Sequence, residues 1–128
     1  MKCTGLLIAA LSLATSSAAW EVTAYPYVYD CNVASDGSYR IYDGTDSKTC
    51  HNMAGGDAGA SCRQFSNGGF SHGDCSSALV IPASVVVSGS NQCKFYTHTG
   101  CTGVATTVSP GNGNVCQSGA FQSWACNT

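Results

Sequence analysis

Cysteine constrains this chain more than any other residue, with nine in 128 positions. Residues 1–19 begin with a basic Lys2, continue with an apolar stretch and end in small residues, the pattern of a cleaved signal peptide. Cleavage after Ala19 removes Cys3 and delivers an even number of cysteines to an oxidising compartment, where disulfides persist. The sequence therefore predicts a secreted, extracellular protein with four disulfide bonds. The eight cysteines expected to form them are Cys31, Cys50, Cys62, Cys75, Cys93, Cys101, Cys116 and Cys126.

The spacing of these cysteines favours structural bridges over chemistry. No Cys-x-x-Cys pair occurs, which argues against a zinc site and against a thioredoxin-like redox centre. The connectivity stays open, because eight cysteines allow many pairings. Residues 20–128 suffice for one small domain whose hydrophobic core alone gives a thin stability margin. We expect a single disulfide-rich domain over 20–128, with no metal and no cofactor.

Short runs of β-branched and aromatic residues, separated by glycine-rich turns, predict an all-β chain, since no helical periodicity is present. Many short strands with frequent turns are typical of a sandwich or barrel. The glycine-rich segment Cys50–Cys75 is predicted to be a loop. The predicted strands are Val22–Tyr29, Tyr39–Tyr42, Leu79–Ile81, Val85–Val87, Cys93–Thr97, Val104–Val108 and Phe121–Ala125.

Charge and hydropathy exclude several classes of partner. Without Lys2, four basic side chains face seven acidic ones, a net charge of −3, which argues against a nucleic-acid partner bound through phosphates. The apolar stretch of the leader is too short to span a bilayer, and no later segment is longer. We therefore expect no stable membrane anchor, and we expect a monomer.

Alternation in the first predicted strand separates two sets of side chains. Tyr25, Tyr27 and Tyr29 fall on one side, and Val22, Ala24 and Val28 on the other. Large aromatic side chains are the best filling for so small a core, so the tyrosine side is predicted to face inward. The alternative is an exposed tyrosine stripe, which would be a recognition surface for a protein or a glycan.

The C-terminal half carries a Tyr-x4-Cys-x-Gly pattern at Tyr96, Cys101 and Gly103, with Ser123 further along. This pattern resembles the signature of βγ-crystallin Greek keys, in which the serine closes a folded hairpin. The resemblance implies a compact, disulfide-stapled Greek-key sandwich. The first half shows no clean copy of the motif, so an internal duplication stays open. The paired Asn/Asp residues that bind calcium in that family are missing before Ser123, and calcium binding is not expected.

The whole of 20–128 resembles the small secreted cysteine-rich proteins of fungi, many of which are effector candidates. The resemblance implies a non-enzymatic role through extracellular binding to an unknown protein or glycan target. The alternative is an antimicrobial or killer-toxin-like protein. Whether the protein acts on a host or on competing microbes stays open.

A secreted ribonuclease is the least favoured interpretation. The segment Thr97–Gly100 resembles the catalytic-histidine segment of small guanyl-specific ribonucleases, with His98 as the acid. Such an enzyme also needs a carboxylate base and an arginine. Glu21, Arg40 and Arg63 are the available residues of these types. No motif singles them out, and no catalytic residue is predicted.

Overall fold

The computed structural model describes residues 19–55, 57, 59–89, 91–111 and 115–127. The predicted leader lies outside this range except for Ala19. Within it, the chain forms ten strands and one short 3-10 turn at Asn67–Gly69. The strands are β1 Trp20–Tyr25, β2 Tyr39–Gly44, β3 His51–Asn52, β4 Ala60–Ser66, β5 Ser71–Asp74, β6 Ser84–Gly89, β7 Cys93–His98, β8 Thr102–Val108, β9 Cys116–Ser118 and β10 Ser123–Cys126.

The strands form two antiparallel sheets. The six-stranded sheet has the order β5-β4-β2-β1-β6-β9, and the four-stranded sheet has the order β3-β10-β7-β8. The prediction of an all-β chain is confirmed. The described residues contain no helix with the length and hydrophobicity that a membrane span requires.

Two tryptophans lie at the centre of the core. Trp20 from β1 and Trp124 from β10 meet edge to face, with ring centroids 5.9 Å apart, so each sheet contributes one indole to the same cluster. Between them lies the fully buried His51, whose Nε2 is 2.9 Å from an oxygen of the Asp46 carboxylate. The other core side chains are Val22, Ala24, Tyr42, Met53, Val85, Val87, Cys93, Phe95, Val108, Phe121 and Cys126.

The predicted inward orientation of the tyrosine side is wrong. Val22 and Ala24 are buried, whereas Tyr27 is 80% and Tyr29 75% exposed. The strand ends at Tyr25, immediately before Pro26, because proline cannot donate to a strand ladder. Trp20 lies on the same side as Val22 and Ala24 and fills the volume that the tyrosines were expected to fill.

Two other expectations are corrected. Leu79–Ile81 is not a strand: its segment runs beside the core, where the Val80 amide donates to the Met53 carbonyl. Cys50–Cys75 is not a loop, because it contains β3 and the whole β4–β5 hairpin. β4 is stabilised by pairing with β2 over the whole length of β2. Because this contact joins distant parts of the chain, it leaves no periodic pattern in the local sequence.

The two halves of the chain repeat one arrangement. In the first half, β1 pairs with β2 and with β6, and β3 belongs to the four-stranded sheet. In the second half, β7 pairs with β8 and with β10, and β9 belongs to the six-stranded sheet. One backbone contact repeats as well. The Ala83 amide donates to Tyr25 and the Gln122 amide to Tyr96, at 2.7 and 2.9 Å.

The largest difference between the halves is one insertion. Residues 53–83 connect β3 to β6, whereas residues 119–122 make the corresponding link between β9 and β10. The β4–β5 hairpin is therefore additional to the repeated arrangement, and it extends the six-stranded sheet beyond β2. In this arrangement β3 and β9 are exchanged between the two sheets. The Greek-key sandwich that the βγ-crystallin resemblance implies stays a prediction.

The eight cysteines of the described residues all form bridges. Cys31–Cys116 and Cys50–Cys101 each join one half to the other, at equivalent positions in the repeat. The remaining two lie within a sheet: Cys62–Cys75 closes the β4–β5 hairpin, and Cys93–Cys126 joins β7 to β10 at paired register positions.

Candidate binding groove

The connection between β1 and β2, residues 26–38, is fastened to the rest of the molecule at three points. The first is Ser84, at the start of β6. Its hydroxyl accepts a hydrogen bond from the Cys31 amide at 3.2 Å and donates to the Val28 carbonyl at 2.6 Å. Ser84 is fully buried, so both bonds are shielded from water.

The second fastening holds the middle of this connection, and the third holds its C-terminal end. The Cys31–Cys116 bridge ties it to β9. The Gly68 amide, in the turn between β4 and β5, donates to the Gly37 carbonyl at 2.9 Å. The connection is thus held in one shape before any ligand arrives.

A groove of about 290 Å³ opens along this connection. One part of its lining is apolar, from Val28, Val33 and Ala34, and another part is polar. Gly37 permits close packing here, because a Cβ at this position would lie 2.7 Å from Val33 Cγ2. The lining residues are Tyr27, Val28, Val33, Ala34, Asp36, Gly37 and Ser38.

Three of the lining side chains are free to meet a ligand. The Tyr27 ring is 80% exposed, and no other aromatic ring of the described chain stacks on it. The Asp36 carboxylate and the Ser38 hydroxyl have no hydrogen-bond partner among the described residues, and Asp36 is exposed. The groove thus combines a free ring face with a carboxylate and a hydroxyl.

A row of aromatic rings crosses the neighbouring strands of the six-stranded sheet. Tyr25 lies 5.6 Å from Tyr39, Tyr39 4.9 Å from Phe65, and Phe65 5.5 Å from His72, measured between ring centroids. The planes of Tyr39 and Phe65 differ by only 5°, so these rings stack on each other. The two central rings, Tyr39 and Phe65, therefore each have a ring neighbour on both sides within the row.

A second cavity, of about 360 Å³, lies at the other end of β1 and β2. Its lining includes Glu21 and Asp43, but Asp43 already accepts a hydrogen bond from the Ser61 hydroxyl. The one aromatic side chain that lines it, Trp20, is 1% exposed. It therefore lacks the free ring face that distinguishes the groove.

The residues of the Tyr-x4-Cys-x-Gly pattern lie in the other half of the molecule. Ser123 pairs with Tyr96 across β10 and β7, and its hydroxyl accepts from the Cys101 amide at 2.9 Å and donates to the His98 carbonyl. Gly103 has a φ of 88°, and a Cβ there would collide with Thr97 Oγ1 and His98 Nδ1. These contacts close the β7–β8 hairpin and border no cavity described above.

The residues considered for a ribonuclease are not brought together. His98 ends β7 in the four-stranded sheet, whereas Glu21 lies in β1 of the six-stranded sheet. Arg40 is 3% exposed, and its guanidinium donates to Gln64 Oε1, to the Ala78 carbonyl and to Ser76. Its hydrogen-bonding capacity is used inside the protein.

Sequence reasoning considered Tyr27 as an aromatic but missed the groove. Asp36 and Ser38 lie in a segment whose sequence indicates only a turn. Nothing in that segment predicts the hydrogen bonds by which Ser84 holds it in place. The signal that was present is the proline at position 26, which ends the strand and leaves the following tyrosine outside the sheet.

Comparison with known proteins identifies the family of the chain. No curated protein and no solved structure matches it. A family model described as "Secreted LysM effector LysM14, C-terminal domain" matches residues 20–126, which contain all eight bridged cysteines and the complete groove. The chain therefore belongs to the family of this C-terminal domain, a family of secreted fungal LysM effectors.

Proposed function

We propose that this protein acts outside the cell without catalysis, by binding a carbohydrate in the groove of the β1–β2 connection. The observation that carries the proposal is the Tyr27 ring, 80% exposed beside the unpaired Asp36 carboxylate and Ser38 hydroxyl. An exposed ring that contributes nothing to the core costs solubility, and such a residue on a fixed loop is typical of a recognition site.

The chemistry of the groove matches the two kinds of surface that a sugar presents. A pyranose ring has an apolar face of C–H groups, which packs on the face of an aromatic ring. Its edge carries hydroxyl groups, which donate to a carboxylate such as Asp36 and exchange hydrogen bonds with a hydroxyl such as Ser38. The volume of about 290 Å³ has room for a small ligand or for one unit of a longer chain.

The fastening of the connection supports binding as well. A loop that must become ordered on binding loses affinity, whereas a preorganised loop avoids that cost. Here Ser84, the Cys31–Cys116 bridge and the contact from Gly68 to Gly37 hold the groove in advance. Membership of a secreted effector family supports an extracellular setting, in which cell-wall polysaccharides are available ligands.

The test is sedimentation of the purified secreted protein with insoluble polysaccharides: chitin, cellulose and β-glucan. The variant Tyr27→Ala is compared with Tyr29→Ala, a matched control, because Tyr29 is also a tyrosine, is 75% exposed and does not line the groove. Burial of one aromatic face predicts that Tyr27→Ala weakens binding about tenfold, while Tyr29→Ala leaves it unchanged.

Absence of binding to every polysaccharide would overturn the proposal. Equal binding by the two variants would also overturn it, because the groove would then not be the site. Circular dichroism and thermal unfolding of both variants show that each is folded, so a loss of binding reports on the ring itself.

A further inference from the structure

The groove carries a charge that selects among sugars. Asp36 lines it, and Asp30 lies in the same β1–β2 connection, where its carboxylate accepts a hydrogen bond from the Asn32 amide at 3.2 Å. Neither carboxylate forms an ion pair among the described residues. The groove is therefore negatively charged as well as aromatic.

No basic side chain of the described chain lines the groove to offset this charge. Arg40 is buried, with its guanidinium hydrogen-bonded to Gln64, Ser76 and Ala78. The other lysines and arginines of the described residues are Lys48, Arg63 and Lys94, and none of them lines the groove.

We propose that the groove recognises an amino sugar with a free ammonium group, and so prefers oligomers of β-linked glucosamine to their N-acetylated counterparts. This inference rests on the proposed function, because it names the class of carbohydrate that the same groove takes. Charge complementarity points to this ligand: the Asp36 carboxylate pairs with the ammonium group, and the free face of Tyr27 attracts the same cation through its π electrons.

Other saccharides satisfy only part of this arrangement. An N-acetylated sugar is neutral at the same position, so it keeps the packing on Tyr27 but gains neither the ion pair nor the cation–π attraction. A polysaccharide with carboxylate or sulfate groups would meet the negative charge of Asp36 and be repelled. Because the groove is open to water, the gain from the ammonium group is modest, and we expect a preference of about fivefold to tenfold.

The experiment is a calorimetric titration of the secreted protein with short glucosamine oligomers and, separately, with N-acetylglucosamine oligomers of the same length. It is run at mildly acidic pH, where the amine is charged, and at low and high salt. The proposal predicts tighter binding of the glucosamine oligomers, and a preference that shrinks as salt screens the ion pair.

Two matched variants separate the local carboxylate from the overall charge. Asp36→Asn and Asp30→Asn each remove one negative charge, but only Asp36 lines the groove. We expect Asp36→Asn to abolish the preference, because it weakens binding of the glucosamine oligomer more than binding of the N-acetylated oligomer, and Asp30→Asn to preserve the preference.

The outcomes distinguish this inference from the proposed function. If the protein binds both oligomers equally, or if Asp30→Asn and Asp36→Asn act alike, the selectivity is refuted while carbohydrate binding stands. If neither oligomer nor any polysaccharide binds, the proposed function itself fails. If acidic polysaccharides bind best, the assignment of charge to the groove is wrong.

Discussion

Ser84 and Ser123 occupy equivalent positions in the two halves of the protein and make the same pair of hydrogen bonds. Each hydroxyl accepts from the amide of a bridged cysteine, Cys31 or Cys101, and donates to the carbonyl of the residue three positions before that cysteine. The two cysteines have nearly identical left-handed backbones, with φ values of 58° and 57°. A single serine thus fixes the fold of each connection.

The first prediction concerns these serines. Replacement of either by alanine leaves buried partners unsatisfied and should lower the free energy of unfolding by about 1–3 kcal/mol. Only Ser84→Ala should also weaken carbohydrate binding, because Ser84 fastens the groove and Ser123 fastens the β7–β8 hairpin. Denaturant unfolding and polysaccharide sedimentation measure the two effects. Equal losses of binding in the two variants would show that overall stability, not the shape of the groove, controls affinity.

The second prediction concerns the bridges. Cys50–Cys101 spans 51 residues and Cys62–Cys75 spans 13. In the chain-entropy model the longer loop restricts the unfolded chain more, so replacing both cysteines of Cys50–Cys101 by alanine should destabilise by about 1 kcal/mol more than the same change at Cys62–Cys75. Thermal unfolding of the two double variants checks the order. The reverse order would mean that native contacts of the β4–β5 hairpin, rather than chain entropy, dominate the effect of its bridge.

The third prediction concerns alkaline pH. Burial raises the pKa of the Tyr42 hydroxyl above its usual value of 10.0, and the hydrogen bond from Arg40 only partly opposes this. Above pH 10 the unfolded chain therefore loses this proton first, so stability falls as pH rises toward the pKa of the folded state. Tyr42→Phe should reduce that slope without removing it, because burial also raises the pKa of Tyr25. Urea unfolding at a series of alkaline pH values tests this, and an unchanged slope in Tyr42→Phe would contradict it.

The fourth prediction compares two glycines. Gly103 has a φ of 88°, and a Cβ there would meet Thr97 Oγ1 and His98 Nδ1, so Gly103→Ala should destabilise by about 1–3 kcal/mol. Gly73 lies in the edge strand β5, where a Cβ would meet nothing within 4 Å, so Gly73→Ala should be nearly neutral. The difference in midpoint temperature between the two variants is the measurement. Similar midpoints would show that the β7–β8 hairpin adapts to a side chain at position 103.

The sequence predicted best where local pattern and core packing agree. β6 carries a run of three buried valines, and in β7 the buried Cys93 and Phe95 alternate with Lys94 and Tyr96, so the local sequence marks both strands. The alternation of Val22 with Tyr25 was also correct as a separation into two sides. Which side faces inward depended on Trp124, a hundred residues away in β10, and no local pattern contains that information.

The repeat in the first half was hidden for two physical reasons. Five residues separate Tyr25 from Cys31, one more than the four between Tyr96 and Cys101, so the motif does not align. Ser84 follows Cys31 by 53 residues, whereas Ser123 follows Cys101 by 22, because the β4–β5 hairpin is inserted between them. The groove could not be predicted from the sequence either, because its shape depends on the hydrogen bonds between Ser84 and the β1–β2 connection.

The two bridges that cross between the halves have a consequence for a protein working among extracellular proteases. A cut in the short link between β6 and β7 would separate the backbone into two fragments, yet Cys31–Cys116 and Cys50–Cys101 would still hold them together. Cleavage there would leave the molecule in one piece, with the groove of the β1–β2 connection still attached to β9, until the sulfur bonds themselves were reduced.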